Sequence, residues 1–177
     1  VRNAKDGEEL ITLDNRDLKL KSNDLIIADA ERVLGVAGVK GGKSTEVDVN
    51  TKNLIIEVAN FDPTSIRKTA QRLGIFTDAR KRFENDLSPE LDSYGIIELS
   101  ALIYEMCPEA VFEEIVDIYP QKQEEKKLKF SLEKVSKILG LNVSPDEIKE
   151  ILKRYNISLT EHGGVFEITA PFMRLDL

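Results

Sequence analysis

Glu57 lies within Leu54-Ile-Ile-Glu-Val-Ala-Asn-Phe61, a run that otherwise reads as a buried strand. An unpaired polar group in a protein interior costs roughly 1–3 kcal/mol and an unpaired charge more, so a lone carboxylate there calls for a partner, a shifted pKa or a ligand. A basic cluster offers a second kind of chemistry. Arg67, Lys68, Arg72, Arg80, Lys81 and Arg82 fall within sixteen residues opposed only by Asp78, a pattern that suits phosphate contact or an ordinary solvated helix face. The segment Val36-Ala-Gly-Val-Lys-Gly-Gly-Lys-Ser44 ends like a phosphate-binding loop. Ala37 nevertheless stands where that loop needs its first glycine, and no apolar helix pattern follows Ser44. What the glycines do imply is tight turning and close backbone approach.

The elements that must position these residues fall into two groups. Up to about Gly42 the pattern is strand and turn, with strands expected at Glu9–Leu13, Leu25–Ala28 and Val33–Val39 and a polar break at Asp14–Asp17. Leu54–Ala59 reads as a further strand. Asp62-Pro63 then supplies an N-cap and a proline at the first helical position, Ile66, Ala70 and Leu73 share one face, and Gly74 terminates the helix. A longer helix is expected from Glu90 to about Met106 and a short strand at Val111–Ile118.

Pro120-Gln-Lys-Gln-Glu-Glu-Lys-Lys127 has the composition of an exposed linker. Beyond it, Ser131 caps a helix with Leu132, Val135, Ile138 and Leu139 inward and Gly140 as its stop. Ser144-Pro-Asp-Glu147 is a capping box, opening a helix whose expected inner face is Ile148, Ile151, Leu152 and Tyr155. Ile157–Thr160 and Val165–Ala170 pair around His162-Gly163-Gly164. The reading is α+β: a mixed strand-and-helix domain at 1–119, a linker at 120–127 and a small winged-helix-like module at 128–177.

The 177 residues are 41% hydrophobic and 32% charged, an ordinary globular balance. The net charge of −7 argues against a general polyanion binder. One cysteine, Cys107, rules out an internal disulfide framework and reads as a core-edge residue in a reducing compartment. No run approaches the ~20 apolar residues that span a bilayer, so a cytoplasmic protein is expected. Because the chain opens on Val1 and ends at Leu177, it reads as a piece of something longer.

Taken together, the segments resemble the editing domain of the bacterial phenylalanyl-tRNA synthetase β subunit. The resemblance rests on Leu13-Asp14, Ile26-Ile-Ala-Asp29, Ala37-Gly-Val-Lys-Gly-Gly42, Leu54-Ile-Ile-Glu57, Phe61-Asp-Pro63, Ile66-Arg67, Thr77-Asp-Ala79 and Arg82-Phe-Glu84, in order and spacing. From Phe130 to Ala170-Pro-Phe-Met-Arg-Leu-Asp176 the chain is similar to the small domain that follows it. The resemblance implies hydrolysis of the ester joining tyrosine to the terminal ribose of mischarged tRNA(Phe), with Glu57 recognising the phenolic hydroxyl. It also implies that Gly41, Thr77 and Ala79 line the pocket. A site built to bond a hydroxyl rejects the analogue lacking it by ~10⁴–10⁵, which is the logic such a carboxylate would serve.

Further implications concern the whole enzyme. The α subunit and tRNA(Phe) are the implied partners, Arg67, Lys68 and Arg72 the RNA-contact candidates, and ATP and Mg²⁺ the cofactors, with none expected in this stretch alone. Asp176 corresponds to the start of a magnesium-binding acidic cluster whose other members would follow Leu177, so it is a metal ligand only in the full subunit. Nothing resembles a Ser/His/Asp triad, and the one histidine, His162, lies in a turn; water and substrate are expected to be positioned by pocket shape and hydrogen bonds. Lys40 departs from the family's apolar residue, and Asn85-Asp-Leu-Ser-Pro89 departs from its Arg-Gly-x-Asp-Pro. The family's editing histidine would precede Val1, so the isolated stretch is expected to be inactive. Against this stands a non-catalytic RNA-binding or subunit-interface module.

Overall fold

In the computed structural model, which describes residues 1–177, the chain forms two compact units, Val1–Glu109 and Ala110–Leu177. The architecture is mixed α and β in both.

The first unit opens with six short strands: β1 (Arg2–Asn3), β2 (Glu9–Ile11), β3 (Asp17–Lys19), β4 (Leu25–Ala28), β5 (Val33–Val36) and β6 (Lys40–Gly41). One antiparallel sheet has the order β1-β4-β5-β6, and β2 pairs with β3 separately. The expected strand Val33–Val39 is divided. Gly38, at φ +64, turns the chain so that β6 returns along β5 with Gly41 opposite Gly35; only glycine takes that left-handed conformation without penalty. The polar break at Asp14–Asp17 gives way to β3, whose Leu18 joins Leu10, Leu20, Ile26, Val36 and Val39 in the core.

Three helices follow: α1 (Pro63–Leu73), α2 (Asp78–Phe83) and α3 (Leu91–Met106). The Asp62 carboxylate accepts the Ser65 amide at 2.7 Å, and Gly74 closes the other end of α1 at φ 63. Ile66, 1% exposed, and Ala70 bury one face of α1 against the strands; full burial of such an aliphatic side chain stabilises by about 1.5–3 kcal/mol. Arg16 donates to the Leu73 and Gly74 carbonyls at 2.9 and 3.2 Å, tying the β2–β3 turn to the end of α1.

Two expected strands do not form. Residues 46–62 hold no strand, and Leu54 and Ile55 are exposed. The Leu54–Ala59 run has the right composition, but a strand exists only by hydrogen-bonding to a neighbour, and no strand of this unit pairs with it. It is held instead by side chains: Asn60 donates to the Leu87 carbonyl at 2.7 Å, the Phe61 and Phe83 rings lie 5.3 Å apart, and Val58 packs so near α3 that a methyl on Gly95 would come within 3.2 Å of it. Val111–Ile118 is likewise irregular and exposed, for the same want of a partner. Cys107, the residue after α3, is exposed, not at a core edge.

The second unit contains β7 (Lys127–Ser131), α4 (Leu132–Leu139), α5 (Pro145–Arg154), β8 (Leu159–His162) and β9 (Val165–Thr169), with sheet order β7-β9-β8. Two helices followed by a hairpin give the winged-helix-like form. Lys127 already pairs with Thr169. Ser144 and Glu147 make the reciprocal capping box, and Gly140 ends α4 at φ 72. Phe166, Ile168, Ala170 and Ile148 are the buried apolar residues, with Phe130 stacked 5.4 Å from Phe166. The expected inner faces are narrower than their sequence pattern: Ile151 and Tyr155 on α5, and Ile138 and Leu139 on α4, are exposed.

Candidate functional site

The glycine-rich segment that turns from β5 into β6 and ends at Gly42 carries the first of the expected site residues, Gly41. Gly42 is closed to any side chain, since a Cβ would stand 2.5 Å from the Leu34 carbonyl oxygen and 2.7 Å from Leu10 Cδ1. Gly41 is different. It is exposed, and a Cβ there would meet only the Leu13 side chain, Cδ1 at 3.1 Å. Lys40 faces Asp14, Nζ to Oδ2 3.5 Å, which accounts for a cation at that position. The Thr12 hydroxyl donates to Asp14 and, with the Lys40 charge, holds that carboxyl below its usual range.

Thr77 joins this turn to α2. It caps the helix by accepting the Arg80 amide at 3.1 Å, and its hydroxyl donates to the Val39 carbonyl at 2.8 Å. The Thr-Asp-Ala segment is therefore a helix start. Ala79 is exposed in its first turn. The structure thus ties Thr77 to the turn at Val39, and Ala79 follows it in α2 with no bond of its own to the turn, while no hydrogen bond or ion pair joins Glu57 to Gly41, Thr77 or Ala79.

Glu57 sits in the irregular segment beside Val58. No protein group donates a hydrogen bond to its carboxylate, which is solvent-accessible. Crowding by neighbouring atoms nevertheless strips part of its hydration and pushes the carboxyl above the usual range. The arginines that could have paired with it are engaged elsewhere. Arg67 donates to the Glu84 carbonyl at 2.6 Å, and Arg72 forms an ion pair with Asp24.

The basic cluster accordingly divides. Arg80 is buried, with Nε on the Glu84 carboxylate at 2.9 Å and Nη1 on the Ile75 carbonyl at 3.0 Å. Arg72 and Arg80 hold the unit together, whereas Lys68, Lys81 and Arg82 face solvent. Asp24 went unread in the sequence because a Ser-Asn-Asp turn looks like any loop. Burial pushes its carboxyl up, but bonds from Arg72, the Lys21 amide and the Thr69 hydroxyl outweigh that and hold it low.

An open cleft of about 470 Å³ lies in the second unit, lined among others by Lys149, Lys153, Asn156 and Glu161. None of the sequence-predicted residues borders it.

Two family models match the chain, the B3/4 domain over residues 1–108 and the tRNA synthetase B5 domain over 128–177. Aligned over its whole length, the chain is 40% identical to the phenylalanine–tRNA ligase β subunit of Fusobacterium nucleatum, 36% to that of Clostridium acetobutylicum and 35% to that of Thermotoga maritima. The chain belongs to the phenylalanyl-tRNA synthetase β-subunit family. It spans 22% of the length of each of these relatives.

As a member of that family it carries Asp176 at the end of the B5 match, where Arg174 grips the carboxylate through two bonds of 2.7 and 2.8 Å and lowers its pKa to about 2. No group of three or more His, Cys, Asp or Glu side chains is placed to hold a metal ion. One carboxylate already chelated by an arginine does not fit a magnesium site by itself. No helix is long and apolar enough to cross a membrane.

Proposed function

We propose that this chain is the part of a phenylalanine–tRNA ligase β subunit that recognises tyrosine on mischarged tRNA(Phe) for hydrolytic removal. In the assembled ligase the partners are the α subunit and tRNA(Phe), phenylalanine charging uses ATP and Mg²⁺, and the setting is the cytoplasm. The observation that carries the reading is the Glu57 carboxylate, accessible, partly desolvated and without a protein donor. Such a group is ready to accept a hydrogen bond from a phenolic hydroxyl and offers nothing to a phenylalanyl ring. Gly41 and Ala79 leave room beside the Thr77-anchored turn for an aromatic ring, and the ester is attacked by positioned water without a covalent nucleophile.

The test is deacylation of Tyr-tRNA(Phe) by the assembled ligase. Glu57→Ala is expected to slow it about 10- to 150-fold, the worth of one hydrogen bond to a charged group, while phenylalanine charging is unchanged. Equal deacylation in wild type and variant removes Glu57 from the mechanism.

A second reading, a non-catalytic subunit-interface module, is favoured by α3. That helix buries no residue and exposes Ile97, Leu102 and Met106, the mark of a helix that expects more neighbours than it has. Loss of subunit assembly on Leu102→Lys, with deacylation by the assembled wild type absent, supports that reading alone.

A further inference from the structure

Phe76 is 81% exposed, immediately before the N-cap of α2. Scattered apolar side chains on a surface need no explanation, but this ring is held. The Arg80 guanidinium lies 4.5 Å from its centroid, and that guanidinium is itself buried and fixed by Glu84 and Ile75. One side of the ring therefore rests on an immobile cation, and little conformational freedom remains to be lost when something stacks on the exposed side.

The surroundings select the ligand. Lys81 and Arg82 are exposed on α2, Arg67 and Lys68 are exposed on α1, and Asp78 is the only acid between Arg67 and Phe83. An exposed, pre-set aromatic among cations is the combination that binds single-stranded nucleic acid, the ring taking a base and the cations its phosphates. Thr77 spends its hydroxyl on the Arg80 amide and the Val39 carbonyl, and Phe76, the residue before it, keeps its ring in solvent. The exposed ring thus sits one residue from the anchor of the turn.

We infer that Phe76 is a stacking platform for an unpaired base in the single-stranded 3′ end of the RNA whose aminoacyl ester is presented at Thr77, a positioning residue for the substrate strand. The inference rests on the editing function proposed above. Stacking is indifferent to base identity and to the esterified amino acid, so Phe76 governs capture of the strand and Glu57 the choice of side chain.

The experiment measures Tyr-tRNA(Phe) deacylation by the assembled ligase carrying Phe76→Ala, Phe76→Leu or Phe76→Trp. The expected result is a KM raised about 5- to 150-fold by Ala and by Leu with kcat preserved, and restored by Trp. Leu restoring as well as Trp makes the ring a mere apolar cover and overturns the inference. An unchanged KM in Phe76→Ala beside active wild type overturns it while leaving the editing function intact. A lowered assembly yield or Tm in Phe76→Ala, with KM unchanged, assigns the ring to a protein interface instead. Quenching of 2-aminopurine placed in the tRNA 3′ end provides an independent reading. Quenching by wild type and its loss in Phe76→Ala supports stacking even where wild type does not deacylate, and absence of quenching overturns it.

Discussion

Asp24 and Glu57 are both carboxylates set among apolar residues of one unit, and their surroundings treat them oppositely. Asp24 is 1% exposed and takes three kinds of donor: an arginine, a hydroxyl and a backbone amide. Its carboxyl is held below the usual range despite burial. Glu57 is more accessible, receives no protein donor, and its carboxyl is raised. Burial alone does not decide what a carboxylate is for; the supply of donors does. An acid whose donors are all supplied by the protein pins two elements together, here the β3–β4 turn and α1. An acid left without them keeps its acceptor capacity for something else.

The most forceful way to break this contrast is Arg72→Ala. It leaves a buried carboxylate short of its charged partner and is expected to destabilise the chain by about 3 kcal/mol, at the lower end for a buried pair because Arg72 is partly solvated. Urea unfolding reads it, and a loss under about 1 kcal/mol would mean that water replaces the arginine at Asp24. Next in size are the slopes of stability with pH. The lowered Asp24 pKa contributes stability above its unfolded value near 3.9 that disappears as pH falls through the folded value. The raised Glu57 pKa works the other way, contributing fully below about 4.3 and disappearing as pH rises through its folded value. Urea midpoints from pH 3 to 8 are therefore expected to lose their acid-side rise in Asp24→Asn and their decline at higher pH in Glu57→Gln. The smallest effect is the stability of Glu57→Gln at pH 7, unchanged or higher by less than about 1 kcal/mol, because it removes a desolvated charge and breaks no bond. A marked destabilisation there would show that Glu57 has a structural donor after all.

Local signals were read correctly where local physics is sufficient. The Asp62-Pro63 start, the Gly74 and Gly140 stops and the Ser144–Glu147 box depend on residues three to five apart, and each formed as its pattern indicated. The Leu54–Ala59 strand failed because composition states a preference, whereas pairing is a property of a neighbour. Glu57 drew notice as a buried strand acid for which the structure has no strand; its interest survives on different grounds, as a crowded carboxylate without donors. Asp24 was illegible for the converse reason. Its partners Thr69 and Arg72 lie 45 and 48 residues away, a relationship that no window along the chain contains. Those of Arg80, namely Phe76, Ile75 and Glu84, lie within five residues and were hidden only because the arginine read as one of a basic cluster. Thr77 was found by motif resemblance, but its bond to Val39, 38 residues away, had no signal in the sequence.

The adjacent glycines at the end of β6 have a consequence for how such a protein can change over generations. Position 42 is locked, because any side chain strikes the Leu34 backbone; position 41 borders only the movable tip of Leu13. A lineage can therefore add a side chain at position 41 by single steps while position 42 preserves the scaffold. Adaptability and conservation are assigned to neighbouring residues of one type, and only the backbone crossing behind them tells which is which.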